Sequence, residues 1–111
     1  MVTLSREAVA RIEHLLSGAE PIDWFLVISW RKGTADVRRT GTGEVSWART
    51  PDEGWVAELA GWKPNKSPRD DSMPLHGDVR LLIQEHFAPG PFPGGEVYVE
   101  ANEFKVRLHA I

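Results

Sequence analysis

Four histidines, His14, His76, His86 and His109, and the carboxylates Asp70, Asp71 and Asp78 are the residues best equipped to hold a transition metal or move a proton. Imidazole and carboxylate are ordinary ligands of zinc and of non-haem iron. Motif-borne sites place such ligands at fixed spacing, and these histidines form no H-x-H or H-E-x-x-H phrase. Asp70-Asp71 is an adjacent acidic pair in a polar stretch, where solvation is the ordinary fate, and His14 falls on the polar face of a helix. A small metal-dependent enzyme using the histidines with Asp70-Asp71 is therefore the alternative reading. The sequence contains no cysteine, which removes disulfides, thiolate nucleophiles and cysteine-ligated zinc or iron–sulfur clusters. No G-x-S-x-G elbow surrounds Ser5, Ser29 or Ser46. Gly41-Thr42-Gly43 and Gly94-Gly95 lack the strand-to-helix context of a phosphate loop and read as hairpin turns. No catalytic residue, metal ligand or cofactor is expected, and the chain is not read as an enzyme.

Recognition is the better-supported chemistry. Arg31, Lys32, Arg38 and Arg39 gather along a short stretch and could meet an anionic ligand or nucleic acid. The net charge of −3 supplies no overall attraction to phosphate, so a solvated strand end is preferred and a nucleic-acid module at Arg31–Arg39 is a further alternative. The sequence holds five tryptophans. Trp24 and Trp30 belong to an apolar run and read as core. Trp47, Trp55 and Trp62 lie on shorter elements near turns, and aromatics there suit a contact surface. The expected surface uses these three as apolar anchors, with Lys63 and Arg69 at the rim, and takes a protein partner or a second copy of the chain. The sequence names no small-molecule ligand.

These residues are positioned by a chain of ordinary globular composition, 41% hydrophobic and 26% charged, long enough to bury a core without staples. Asp23 to Gly33 is the organising stretch. Trp24, Leu26, Ile28 and Trp30 alternate onto one face, while Phe25 and Val27 sit on the other. That pattern predicts a central strand covered on both sides, running out to solvent at Arg31-Lys32. Before it, Ser5 is suited to cap a helix over about Ser5–Ser17, with an apolar stripe of Ala8, Val9, Ile12, Leu15 and Leu16. Glu7 and Arg11 are spaced for an ion pair, and Gly18 stands where the helix should stop.

Weaker strands are expected over Thr34–Thr40 and Glu44–Arg49, with Pro51-Asp52-Glu53-Gly54 as a turn. Trp55–Trp62 favours strand. Lys63–Gly77, with Pro64, Pro68 and Pro74, reads as one long loop, ordered for a purpose or partly disordered. Asp78–Phe87 fits either helix or strand; as a strand it aligns Val79, Leu81 and Ile83, with Leu82 opposite. Ala88–Gly95 stops regular structure. Glu96–Glu100 and Phe104–Leu108 alternate around a short turn and read as a hairpin.

The phrase Val2-Thr3-Leu4-Ser5, followed by Ala8, Ile12, Leu15 and Leu16, resembles the start of HesB-like, A-type iron–sulfur carrier domains. Val79–Ile83, Gly95–Val99 and Phe104–Val106 look similar to the strands near that family's C-terminus, and residues 34–77 are unmatched. The resemblance implies the family's fold. It also implies cluster ligands, a cysteine in the loop corresponding to Gly33-Thr34-Ala35-Asp36 and a Cys-Gly-Cys tail, and this sequence reaches Ile111 with neither. The expectation is a single domain over 1–111, mainly β (α+β), with an N-terminal amphipathic helix packed on a mixed or antiparallel sheet or distorted sandwich, HesB-like. A non-catalytic binding or scaffold protein lacking iron–sulfur ligands is the functional reading. No signal-peptide pattern or membrane span is evident, so the location is expected to be cytoplasmic.

Overall fold

A computed structural model describes residues 1–32 and 53–109 in full and, between them, only the backbone of 35–39 and 45–49. The chain is mainly β, with one α-helix among the described residues. Its elements are β1 (Val2–Leu4), α1 (Arg6–Leu16), β2 (Asp23–Arg31), β3 (Ala35–Arg39), β4 (Val45–Arg49), β5 (Gly54–Trp62), β6 (Met73–His76), β7 (Val79–Gln84), β8 (Gly95–Glu100) and β9 (Glu103–Leu108). β5-β2-β7-β6 form one mixed sheet, β1-β8-β9 a second, and β3-β4 a two-stranded ribbon. This is the expected α+β class.

α1 starts where the sequence places its cap. The Ser5 hydroxyl accepts the Ala8 N–H at 3.1 Å, satisfying one of the orphan donors of the first turn. Gly18, at φ +76°, follows the last turn in the left-handed conformation that glycine adopts without strain. The buried stripe is narrower than expected: Ala8 and Ile12 are fully buried, whereas Leu15 is 41% exposed. Arg11, expected to pair with Glu7, keeps its Nε buried without a hydrogen-bond partner.

β2 is an interior strand, antiparallel to β5 and parallel to β7. Leu26 and Ile28 enter a core with Ala8, Ile12, Ala57, Val79, Leu81 and Val97, which joins the sheet, the helix and the β8 sheet. Phe25 and Val27 enter a second cluster with Leu82, flanked by Ala60 and Trp62. Both faces of β2 are buried, as its double apolar pattern requires. Trp55–Trp62 is a strand, and the ambiguous Asp78–Phe87 segment is a strand through Gln84, with Leu82 opposite Leu81 and Val79.

Three local expectations need correction. Lys63–Gly77 is not one loop: it holds two single-turn 3-10 helices, Pro64–Lys66 and Arg69–Asp71, and then β6. Pro74 hides that strand in the sequence, because proline lacks a ladder donor; β6 tolerates it as an edge strand. Val2–Leu4, to which the sequence pattern assigns no element, is a strand that pairs parallel with β8. Gly94-Gly95 is not a hairpin turn but the entry to β8, where Gly95 N–H donates to the Met1 carbonyl and His109 N–H to the Gly94 carbonyl. A Cβ at Gly95 would lie 2.5 Å from the Arg107 carbonyl oxygen, so the close approach of backbones requires glycine. The closing hairpin turns on Ala101 and Asn102, both at positive φ, as a two-residue type I′ turn demands. The expected turns at Gly41–Gly43 and Pro51-Asp52 lie outside the described residues.

Candidate functional site

Because β2 and β7 run parallel, with Ser29 beside Gln84, Arg31-Lys32 and the segment after Gln84 leave the sheet at the same end. That segment, residues 85–94, is pinned at both ends of a short arc. The Glu85 carboxylate accepts the Phe92 N–H at 2.6 Å, and Ala88 N–H donates to the Glu85 carbonyl at 3.2 Å. Phe92 packs edge-to-face on Trp55 at 4.9 Å, and Trp55 packs in the same manner on its cross-strand neighbour Trp30 at 5.4 Å. Such pairs add about 0.5–1.5 kcal/mol each beyond their area burial. Pro89, Pro91 and Pro93 further restrict the arc.

At its crest stands Phe87. The side chain is 77% exposed, and its backbone holds φ +65°, a conformation that a bulky residue adopts only under constraint. The Lys32 ammonium sits 4.4 Å from the ring centroid, a cation–π contact that leaves the rest of the ring in solvent. Arg31 beside it is exposed.

The opposite end of the same sheet is concave. Gly77-Asp78 forms the tight β6–β7 turn, with Gly77 at φ +55°. On one side of this turn lies a polar cleft of about 390 Å³ lined in part by Asp23, Arg69, Asp78 and Arg80. On the other side an open apolar groove of about 450 Å³ runs between α1 and β7, floored by Ile12, Leu16 and Val79 and edged by Glu13, His76 and Asp78. His76 Nε2 lies 3.1 Å from the Glu13 carboxylate.

The expected contact residues do not form one patch. Trp55 and Trp62 sit on β5 seven positions apart and on opposite faces: Trp55 joins the first core and Trp62 the second, edge-to-face with Phe25 at 5.3 Å. Lys63 is exposed beyond Trp62. The exposed Arg69 guanidinium approaches the half-buried Asp23 carboxylate at 3.9 Å, a long pair worth little to stability. Trp47 faces Val37 in the backbone register of the ribbon, and its side chain, like those of Arg38 and Arg39, lies outside the described residues. Among the described residues no three histidines or carboxylates converge to hold a metal. His14, His86 and His109 are exposed. Phe87 was not singled out from the sequence. It is embedded in a run of prolines and glycines that marks only the end of a strand, and nothing in the residue type announces a positive φ.

No family model matches this sequence, and no curated protein matches it. Among solved structures, the crystal structure of Escherichia coli SufA, described as involved in biosynthesis of iron–sulfur clusters, matches with a TM-score of 0.42 and 19% identity, covering 97% of this chain and 78% of that one. The donor set for an iron–sulfur cluster is not met here: the sequence has no cysteine, and the described residues offer no alternative cluster of ligands. No helix among the described residues is long and apolar enough to cross a membrane.

Proposed function

We propose that this chain is a non-catalytic, cytoplasmic binding or scaffold protein that docks a protein surface through the Phe87 end of its larger sheet. One observation carries the reading: a large aromatic side chain is held out in solvent on constrained backbone, on an arc locked from beneath by Glu85, Phe92 and Trp55. A rigid aromatic anchor is the feature that concentrates binding energy at interfaces, because little conformational freedom remains to be lost on docking. Of the residues read from the sequence as a contact surface, Trp55 supports this end from below. Trp62, Lys63 and Arg69 flank the far end of β5, and they contribute only to a partner that reaches along the strand.

The test is site-specific photo-crosslinking. A photoreactive phenylalanine analogue at position 87 is expected to yield a defined crosslinked species in cells that make the protein. The same analogue at exposed Glu58 on β5 is expected to yield none. Equal, diffuse crosslinking from both positions would remove the reading.

A further inference from the structure

The two ends of the larger sheet are complementary in shape and in charge. One end projects Phe87, with Lys32 against its ring. The other end offers the apolar groove of Ile12, Leu16 and Val79, with Glu13 and Asp78 on its edge. The groove's volume of about 450 Å³ accommodates a phenyl ring together with the atoms beside it, and it is open enough to be entered without moving α1. A cationic rim meets an anionic rim, the arrangement that steers association and fixes its register.

Building on the docking reading above, we infer that the partner of the Phe87 end is a second copy of this chain, which receives Phe87 in the groove between α1 and β7, with Lys32 facing Glu13 and Asp78. Val79 begins β7 and Phe87 lies beyond its end, so knob and groove stand on the order of 20 Å apart along the strand at the usual rise per residue. The contact is therefore head-to-tail. Each copy keeps a free knob and a free groove, and association extends past a dimer into open chains unless the rotation closes a ring. A single aromatic anchor with a charged rim makes a weak, concentration-dependent contact rather than an obligate one.

Sedimentation of the full chain tests this, over a range of about 10 µM to about 1 mM, where single-anchor contacts fall. Wild type is expected to rise in average mass with concentration, beyond that of a dimer. Lys32→Glu sets an acid against Glu13 and Asp78 in place of the ammonium, and Glu13→Lys sets an ammonium against Lys32, so each variant alone is expected to associate at least about tenfold more weakly. Mixed one to one, the two variants present complementary ends again, and association is expected to return. Both substitutions are at exposed positions, and circular dichroism of each variant checks that the fold is retained. A wild-type chain that stays monomeric, a discrete dimer indifferent to both substitutions, or a mixture no better than its components would overturn the inference. If it is overturned while position 87 still crosslinks to another protein, the docking reading stands with a different occupant. If that crosslink is also absent, both fall.

Discussion

Two proline-bearing segments leave the larger sheet, and they use the same composition in opposite ways. Residues 63–72 carry no large apolar side chain of their own. They join β5 at one edge of the sheet to β6 at the other, and on the way they are tied to Arg80 and Asp23. Arg80 Nε donates to the Ser72 hydroxyl at 2.7 Å and a terminal nitrogen donates to the Ser72 carbonyl at 3.0 Å. Asp23 and Arg80 share the face of Phe25, Val27 and Leu82, so the segment crosses the sheet on that face. Residues 85–94 carry two phenylalanines and divide them: Phe92 turns inward onto Trp55, and Phe87 turns outward. The first segment is held by polar ties to Asp23 and Arg80, on the face that carries Phe25, Val27 and Leu82. The second uses part of a core to display what the fold itself does not need. Proline content marks rigidity in both, and only the destination of the apolar side chains separates cover from display.

Substitutions that damage one segment's task and spare the other's sharpen that contrast. The largest effect is expected at Phe25, fully buried on the covered face: Phe25→Ala should destabilise the chain by about 3–5 kcal/mol in urea titration, with residual knob-to-groove association unchanged wherever the fold persists. A smaller effect is expected beneath the display. Glu85→Ala removes the carboxylate that accepts the Phe92 N–H, and should cost about 1 kcal/mol. Its sharper signature is local: amide exchange at Phe92 should accelerate while the β2 amides stay protected. If Glu85→Ala instead loosens the whole sheet equally, the arc is part of the core and the contrast with residues 63–72 disappears.

Much of this architecture is legible in the sequence, and the illegible parts have identifiable physical causes. The β2 pattern announces burial on both faces because seven residues, Trp24 through Trp30, alternate without a charged side chain. Ser5 and Gly18 bracket α1 through local backbone chemistry. The closing hairpin shows in its alternation. β6 was hidden because a proline in an edge strand looks like a loop, and the role of Gly95 because close backbone approach depends on β1 and β9, distant in sequence. The residues expected from the sequence as one contact surface fall on different faces of the sheet. Trp55 does support an aromatic cluster, but grouping it with Trp62 ignored strand parity, which sends residues 55 and 62 to opposite faces. Phe87 was missed because its significance lies in exposure and backbone conformation, which residue type does not encode.

The central claim, that Phe87 is displayed for docking rather than required by the fold, is tested most directly by the stability of Phe87→Gly. Relieving a left-handed backbone conformation favours the variant by about 1 kcal/mol, and losing an exposed cation–π contact with Lys32 opposes it by about 0.5 kcal/mol. The expected urea midpoint is therefore equal to wild type or higher, by the equivalent of about 0.5 kcal/mol at an unchanged slope. A midpoint lowered by about 1 kcal/mol or more would show that the ring is part of what holds the fold together, and would contradict the account.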